Sequence, residues 1–166
     1  MAQVTLGGNP TNTSGDIPKA GDIAPNFTTV GVDMAPFSLD THKGKKVVLN
    51  IFPSVDTGVC AASIREFNKA AATLDNTVIL CLSMDLPFAQ QRFCGAEGIE
   101  NVVMGSGFQD GGDFGTKYGV LLTDSGFKGL YARAVVVIDE GGTVQYAELV
   151  PEIGQEPNYE AALAAL

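Results

Sequence analysis

Lys46-Val47-Val48-Leu49-Asn50-Ile51-Phe52 is the stretch that decides the fold, because it is a nearly continuous apolar run rich in β-branched residues. Such a run is typical of a central strand that is covered on both faces. Pro53 ends the strand, and after a short turn the sequence predicts a helix from about Val59 to Leu74. Apolar residues at helical spacing give this helix one buried face: Ile64, Phe67, Ala71 and Leu74.

The rest of the chain predicts a strand–helix alternation followed by a hairpin. Two further buried strands are predicted at Thr77–Ser83 and Ala134–Ile138. Gly105–Gly129 is rich in glycine and is predicted to be loop-like, with one or two helical turns near Phe114–Tyr118. Weaker patterns predict strands at Gln3–Leu6, Phe27–Val32, Asn101–Met104 and Thr143–Val150, and helices from Pro87 to about Ala96 and at Pro157–Leu166.

This order of elements predicts the fold class. Strand–helix alternation produces parallel strand pairs, and a terminal hairpin adds antiparallel strands. We therefore expect an α/β chain with a thioredoxin-like fold, in which a mixed central sheet is flanked by helices. One domain is expected over residues 1–166. Residues 1–25 are expected to be an N-terminal arm, a strand or hairpin extension that is mostly irregular after its first strand.

Composition and charge argue against several functional classes. The formal net charge of −9 disfavours partners such as nucleic acids and anionic membrane surfaces, which require a basic face. No apolar run approaches the roughly 20 residues of a membrane span. Met1–Pro10 lacks the pattern of a signal peptide, so we expect a cytoplasmic location. Because the chain has three cysteines, one histidine (His42) and no C-x-x-C, we expect neither a metal nor another cofactor.

Cys60 follows the predicted strand-to-helix turn and lies near the first turn of the helix. Unpaired N–H groups and the positive end of the helix dipole favour a thiolate there, and the thiolate is the nucleophilic form of cysteine. From its position alone, Cys60 is equally well interpreted as a small buried side chain. Thr57, three residues earlier, could cap the helix or direct its hydroxyl at the thiolate.

The sequence around Cys60 distinguishes between these interpretations. The stretch PSVDTGVC, residues 53–60, contains P-x-x-x-T-x-x-C, which resembles the active-site motif of the peroxiredoxins. Longer stretches resemble the thiol peroxidases, the atypical two-cysteine branch of that family: NIFPSVDTGVCAASIREFN, DNTVILCLSMDLPFAQQRFCGAEG and ARAVVVIDEGG. The resemblance covers nearly the whole chain, including the final PNYEAALAAL.

The resemblance implies roles for five residues. Cys60 would be the peroxidatic cysteine, which attacks the peroxide and becomes a sulfenic acid. Thr57 would hydrogen-bond the thiolate and the bound peroxide, and Pro53 would shield the sulfenic acid from further oxidation. Arg133 matches the essential arginine of the family, whose permanent charge stabilises the negative charge gathered on the peroxide oxygens. Cys94 matches the resolving position, where a thiol would form an intrachain disulfide with Cys60.

The other candidate residues are interpreted as structural or surface groups. Cys81 lies inside the TVILCLS strand and is expected to be a core residue without a catalytic role. His42 is expected at the surface, in a polar stretch. Arg65 and Arg92 are expected to be surface charges on the helices that follow Cys60 and surround Cys94, although Arg65 could also lie behind the active site.

As a whole, the resemblance implies an antioxidant enzyme that reduces hydrogen peroxide and organic hydroperoxides, with alkyl or lipid hydroperoxides preferred. It also implies thioredoxin as the reductant and a homodimer. Two other functions stay open. One is a general disulfide oxidoreductase, which the lack of C-x-x-C argues against; the other is a redox-sensing or chaperone-like protein whose cysteines switch binding.

Overall fold

The elements of the chain form a small hairpin sheet and a mixed seven-stranded sheet. The computed structural model describes residues 1–109 and 113–166, and no helix in these ranges is both long and apolar enough to cross a membrane. The strands are β1 (Gln3–Leu6), β2 (Asn9–Asn12), β3 (Thr28–Val30), β4 (Pro36–Ser38), β5 (Lys46–Ile51), β6 (Thr77–Ser83), β7 (Val103–Ser106), β8 (Ala134–Ile138) and β9 (Val144–Leu149). The helices are α1 (Gly58–Ala71), α2 (Pro87–Glu97), α3 (Asp113–Lys117) and α4 (Tyr159–Ala164), and a 3₁₀ turn spans Leu39–His42.

The large sheet has the strand order β4-β3-β7-β6-β5-β8-β9. β5 pairs in parallel with β6, and β6 pairs in parallel with β7. On its other side β5 pairs antiparallel with β8, which forms a hairpin with β9. Because Ile51 lies opposite Ala134 in the β5–β8 register, the residue before β8 lies beside the chain that leaves β5.

Side chains of β5 alternate between two apolar cores, one on each face of the sheet. Val47, Leu49 and Ile51 lie in the core that contains Phe114 of α3. Val48 lies in the other core, which contains apolar residues of α1, α2 and α4. Helices therefore cover both faces, which explains why this strand is apolar almost throughout.

The architecture confirms the predicted mixed sheet flanked by helices, with element boundaries close to those expected. Helix α1 spans Gly58–Ala71 rather than Val59 to Leu74. The strand or hairpin extension expected at the N-terminus is the β1–β2 hairpin, although β2 lies in the part of the arm expected to be mostly irregular. One strand was not predicted: β4, which pairs with β3. The helical turn expected near residues 114–118 is α3, whereas residues 110–112 of the glycine-rich stretch lie outside the described ranges.

The N-terminal hairpin β1–β2 is anchored near both ends by acidic side chains. At its turn, Gly7 and Gly8 adopt φ values of 59° and 85°, a region that glycine enters without steric cost. The carboxylate of Asp124 accepts a hydrogen bond from the backbone N–H of Asn12 at 2.8 Å. The carboxylate of Glu152 accepts one from the N–H of Gly8, also at 2.8 Å. The hairpin is therefore attached to the loop before β8 and to the loop after β9.

Candidate active site

Cys60 lies in the first turn of α1, just after the chain leaves the carboxyl end of β5. The helical hydrogen bonds begin with the N–H of Ala61, which donates to the carbonyl of Thr57 at 3.0 Å. Cys60 shares one face of α1 with Ile64 and Phe67, and all three side chains are fully buried in the same core. The fold therefore places a buried thiol at the N-terminal end of a helix, where backbone N–H groups are unpaired.

Arg133 is the cation beside this thiol. Its Nη2 donates a hydrogen bond to Sγ of Cys60 at 3.2 Å, and its Nε donates to the carbonyl of Ile153 at 2.8 Å. The residue is only 2% exposed, and a buried guanidinium is costly unless hydrogen bonds and an opposite charge compensate it. Its Nη1 has no hydrogen-bond partner among the described residues, so the guanidinium retains an unused donor.

A cavity of about 210 Å³ is lined by Pro53, Thr57 and Arg133, and the last of these contacts the buried Cys60 sulfur. Thr57 is the N-cap residue of α1, but its side chain makes no capping hydrogen bond. Its hydroxyl instead donates to the carbonyl of Ser54 at 3.0 Å, so the capping alternative that the sequence left open for Thr57 is not the one adopted. The expected roles of Thr57 and Pro53 toward a peroxide stay predictions. Apolar side chains form much of the remaining wall, from Leu6, Val59, Phe127 and Ile153.

All three cysteines are free thiols in this structure. Cys94 is half-buried on α2 and packs against the core that contains Cys60. Burial raises the pKa of the Cys94 thiol above its ordinary value, which disfavours its thiolate while α2 is folded. Cys81 is fully buried in β6, as predicted, and burial raises its pKa to about 12. Cys81 is therefore protonated near neutral pH.

The N-terminal half of α2 is held to the sheet by a buried amide. Gln90 is fully buried, and its Nε2 donates to the hydroxyl of Ser83 at 3.1 Å and to the carbonyl of Gly105 at 2.9 Å. Buried hydrogen bonds of this kind are costly to break, because each partner left unsatisfied costs about 1–3 kcal/mol. This half of the helix is thus firmly attached to β6 and β7.

The half of α2 that carries Cys94 is held by weaker polar contacts. Arg92 pairs with Asp56 at 3.2 Å, and Glu97 pairs with Arg65 of α1 at 3.0 Å. Both arginines are exposed, as predicted, and exposed ion pairs contribute only about 0–1 kcal/mol each. The two halves of α2 therefore differ in how strongly they are attached.

Asp85 is a site residue that sequence reasoning did not identify. Its Oδ1 accepts from the hydroxyl of Ser54 at 2.7 Å, and its Oδ2 accepts from the N–H of Val55 at 2.9 Å and from the hydroxyl of Ser83 at 2.7 Å. The carboxylate thus fixes the turn between β5 and Cys60 to the end of β6. The available signal was an acidic residue two positions after the end of a buried parallel strand, at the same sheet edge as the Cys60 turn.

Asn50 is a second residue that was overlooked, although it is the one polar side chain in the apolar part of β5. Its Nδ2 donates to the hydroxyl of Ser63 at 3.3 Å, and this hydroxyl donates to the carbonyl of Cys60 at 2.8 Å. The same Nδ2 lies 3.7 Å from Sγ of Cys81. A buried amide thus connects the central strand to the first turn of α1.

His42, which was expected at the surface, is partly buried. Its ring packs edge-on against Phe37, with ring centroids 5.9 Å apart. Burial, and to a smaller extent the charge of Lys45, lowers its pKa. His42 lines a different cavity from the one beside Cys60, so it is not brought into the site.

The hydrogen bonds of Glu152 predict an acid-dependent attachment of the hairpin. The N–H groups of Gly154 and Gly8, together with the Thr5 hydroxyl, stabilise its charged form and lower its pKa from 4.5 to about 2. Because the folded-state pKa is depressed, the contribution to stability is fully present above pH 4.5 and is lost as the pH falls towards 2. The amide chemical shifts of Gly8 and Gly154, followed by NMR, should therefore titrate with a midpoint well below 4.5. A midpoint at or above that value would contradict the assignment.

Comparison with known proteins places this geometry in a family. Residues 19–163 match the family model described as Redoxin. Thiol peroxidases of Mycobacterium bovis and Mycobacterium tuberculosis are each 60% identical to the chain over 166 residues, which is 100% of this chain and 99% of theirs. A thiol peroxidase of Corynebacterium glutamicum is 54% identical with the same coverage.

Solved structures agree with the sequence comparisons. A peroxiredoxin-like protein from Aquifex aeolicus superposes with a TM-score of 0.92 at 40% identity, covering 99% of this chain and 96% of its own. A thiol peroxidase from Chromobacterium violaceum gives a TM-score of 0.91 over 99% of this chain and 95% of its own; at 22% identity it supports the fold alone. The predicted thioredoxin-like fold is thus confirmed, and the chain belongs to the Redoxin family, alongside these thiol peroxidases.

Proposed function

We propose that the protein is a peroxidase that reduces hydroperoxides with the thiolate of Cys60. The sulfur attacks the terminal oxygen of ROOH, the O–O bond breaks, and the released alkoxide takes up a proton to leave as ROH. The sulfur gains an OH group and becomes a sulfenic acid, a two-electron oxidation. The single observation that carries this proposal is the 3.2 Å hydrogen bond from Arg133 to the Cys60 sulfur, inside a largely buried site.

Arg133 is suited to stabilise charge throughout this step. Negative charge starts on the sulfur and moves to the leaving oxygen, and a fixed guanidinium beside both can stabilise it without reorganising. Its Nη2 is bonded to the sulfur, while its Nη1 has no partner in the described part of the chain. Because Arg133 also lines the cavity, a peroxide oxygen there is a suitable acceptor for the unused donor.

The second step of the proposal is resolution by Cys94. Its thiolate attacks the sulfenic sulfur of Cys60, an S–S bond forms, and hydroxide leaves and is protonated to water. A dithiol protein such as thioredoxin then reduces the disulfide and becomes oxidised itself. Both cysteines return to thiols, and the cycle restarts.

The proposal includes an opening of α2 before the disulfide forms. A disulfide needs Cα atoms within about 7 Å, whereas Cys60 and Cys94 belong to two separate formed helices. The half of α2 with Cys94 is tied by exposed ion pairs, while Gln90 holds the other half through buried hydrogen bonds. We therefore propose that the C-terminal half opens first. Opening also removes the burial that raises the pKa of the Cys94 thiol, so the resolving thiol ionises more readily when it is free to move.

Organic hydroperoxides fit the site better than hydrogen peroxide in this proposal. The cavity has an apolar wall formed by Leu6, Val59, Phe127 and Ile153. Hydrogen peroxide has no apolar group that could pack against this wall. An alkyl chain buried there gains about 25 cal/mol per Å² of apolar surface removed from water. The preference for alkyl or lipid hydroperoxides follows from that wall.

A homodimer, a cytoplasmic location and the choice of thioredoxin as reductant stay predictions from the resemblance. Light scattering on the purified protein measures its mass in solution against the 17.3 kDa of one chain. A mass of one chain at micromolar concentration would remove the dimer from the proposal.

The proposal is tested by peroxide consumption with thioredoxin, thioredoxin reductase and NADPH. Wild type should turn over many times and should show a higher kcat/KM for cumene hydroperoxide than for hydrogen peroxide. Cys94→Ser should consume one equivalent of peroxide, form a sulfenic acid at Cys60, and then fail to turn over, because no disulfide is presented to thioredoxin. Cys81→Ser is the matched control and should keep cycling.

Three outcomes of this assay oppose the proposal in different ways. Stoichiometric oxidation of wild type without turnover would favour a redox sensor over an enzyme. Normal cycling of Cys94→Ser would remove Cys94 from the mechanism. A higher kcat/KM for hydrogen peroxide would leave the peroxidase and remove the apolar wall as the basis of substrate choice.

A further inference from the structure

The side chain of Arg133 is hydrogen-bonded to the turn that follows β9 as well as to the Cys60 sulfur. Its Nε donates to the carbonyl of Ile153 at 2.8 Å, and its own carbonyl accepts from the N–H of Val150 at 3.0 Å. The guanidinium is therefore aimed by the turn that follows β9. Among the described residues, the side-chain hydrogen bonds of Arg133 go to the Ile153 carbonyl and the Cys60 sulfur, so the placement of the Ile153 carbonyl helps to set the geometry at the sulfur.

The N-terminal hairpin holds that turn through backbone hydrogen bonds. The N–H of Thr5 donates to the carbonyl of Pro151, and the N–H of Ile153 donates to the carbonyl of Thr5, each at 2.8 Å. The side chains of Val4 and Ile153 share one buried apolar cluster. Strand β1 therefore fixes the turn that follows β9.

The side chain of Glu152 adds hydrogen bonds to this contact between β1 and the turn after β9. Its Oε1 accepts from the hydroxyl of Thr5 at 2.9 Å and from the N–H of Gly8 at 2.8 Å. Its Oε2 accepts from the N–H of Gly154 at 2.7 Å and from that of Gly7 at 3.3 Å. One carboxylate thus joins β1, the hairpin turn and the turn that carries Ile153. All four partners donate, so only an acceptor with two free oxygens satisfies them.

We propose that Glu152 is a positioning residue for Arg133. By clamping the β1–β2 hairpin onto the turn Pro151–Gly154, it fixes the Ile153 carbonyl and, through it, the guanidinium that contacts the Cys60 sulfur. In the described part of the chain Glu152 makes no hydrogen bond or ion pair with the sulfur or with Arg133, although it lines the same cavity as Arg133; in this proposal it acts through the turn. The inference rests on the proposed peroxidase function, because that function is what makes the placement of Arg133 matter.

The test measures how fast peroxide oxidises Cys60 in Glu152→Gln. The amide places an N–H₂ group against N–H donors, so the clamp loses acceptors without losing volume. We expect about tenfold slower oxidation, since small misplacements of a catalytic group are costly. The chain has no tryptophan, so the rate is followed by rapid quenching, alkylation of the remaining thiols and mass spectrometry. Glu140→Gln, an exposed change in the β8–β9 turn, is the control and should oxidise at the wild-type rate.

A double-mutant cycle separates positioning from general stability. If Glu152 acts through Arg133, Glu152→Gln should slow oxidation in the wild-type background and have almost no further effect in Arg133→Ala. If Glu152 contributes only to stability, Glu152→Gln should have a lower unfolding temperature, but Cys60 should be oxidised at the wild-type rate at temperatures where the variant is folded. Should Glu152→Gln fail to fold, Thr5→Val removes one clamp donor at nearly constant shape and should slow oxidation in the same non-additive way.

A second readout does not depend on activity. The chain has only three arginines, so their Nε–H signals are readily resolved by NMR. Glu152→Gln should shift or broaden the signal of Arg133 and leave that of Arg92 unchanged. An unchanged Arg133 signal, or a wild-type oxidation rate in Glu152→Gln, would overturn the inference; a wild type that does not react with peroxide would instead overturn the proposed function.

Discussion

Replacing Cys60 by serine is expected to abolish peroxide reduction. The hydroxyl of serine is not ionised near neutral pH, so the variant has no nucleophile to attack the O–O bond. Neither remaining thiol is suited to replace it, because Cys81 is fully buried with a pKa of about 12 and burial also raises the pKa of Cys94 on the folded α2. The measurement is peroxide loss over minutes to hours, under the conditions in which wild type turns over with thioredoxin.

Cys81→Ser is the control for this change, since it also removes one buried thiol of the same core. It should keep most of the activity, and its unfolding temperature shows what the loss of a packed sulfur costs. Equal loss of activity in both variants, with both folded, would mean that the reactive thiol has been misassigned.

Replacing Arg133 by alanine is expected to slow the formation of the Cys60 sulfenic acid by about 10²–10³-fold. Loss of one preorganised donor to a developing negative charge costs about 2.7–4 kcal/mol in the transition state. The guanidinium touches the sulfur directly at 3.2 Å, so the loss should appear in the first chemical step rather than in reduction by thioredoxin. Single-turnover oxidation measured by rapid quenching reports that step.

Two further variants separate the effect of charge from that of geometry. Arg133→Lys should recover only part of the rate, because an ammonium cannot bond Cys60 and the Ile153 carbonyl with the same fork. Arg65→Ala removes an exposed guanidinium that pairs with Glu97 and should oxidise at a rate close to wild type. Oxidation of Arg133→Ala at the wild-type rate would assign the arginine a structural role.

The central elements of the fold were predictable because their sequence signals are strong. The run in β5 is apolar at nearly every position, since both of its faces are buried. The strands β2 and β4 were not predictable in the same way. β2 begins Asn9-Pro10 and β4 begins with Pro36, and proline and asparagine are poor strand formers. Pairing with β1 and β3 compensates for this weak local propensity.

The candidate site was predictable where a residue belongs to a local motif. Cys60, Thr57 and Pro53 lie within eight positions, and the motif places Pro53 and Thr57 in the wall of one cavity, three positions or more before the buried Cys60. Asp85 and Glu152 act through contacts with distant parts of the chain, and each is an ordinary acidic residue in its own local sequence. Such roles depend on the tertiary arrangement, which single-sequence patterns do not encode.

The residues of the candidate site come together in an order that depends on how far apart they are in the sequence. Arg133 is 73 positions after Cys60, and the contact between Thr5 and Pro151 spans 146 positions. Contacts between such distant positions form late, because a long loop must close before they yield any stabilisation. During synthesis Cys60 therefore leaves the ribosome long before its arginine and the turn that aims it. In the proposed mechanism, peroxide reactivity at Cys60 therefore begins only after β1 has paired with the turn that follows β9.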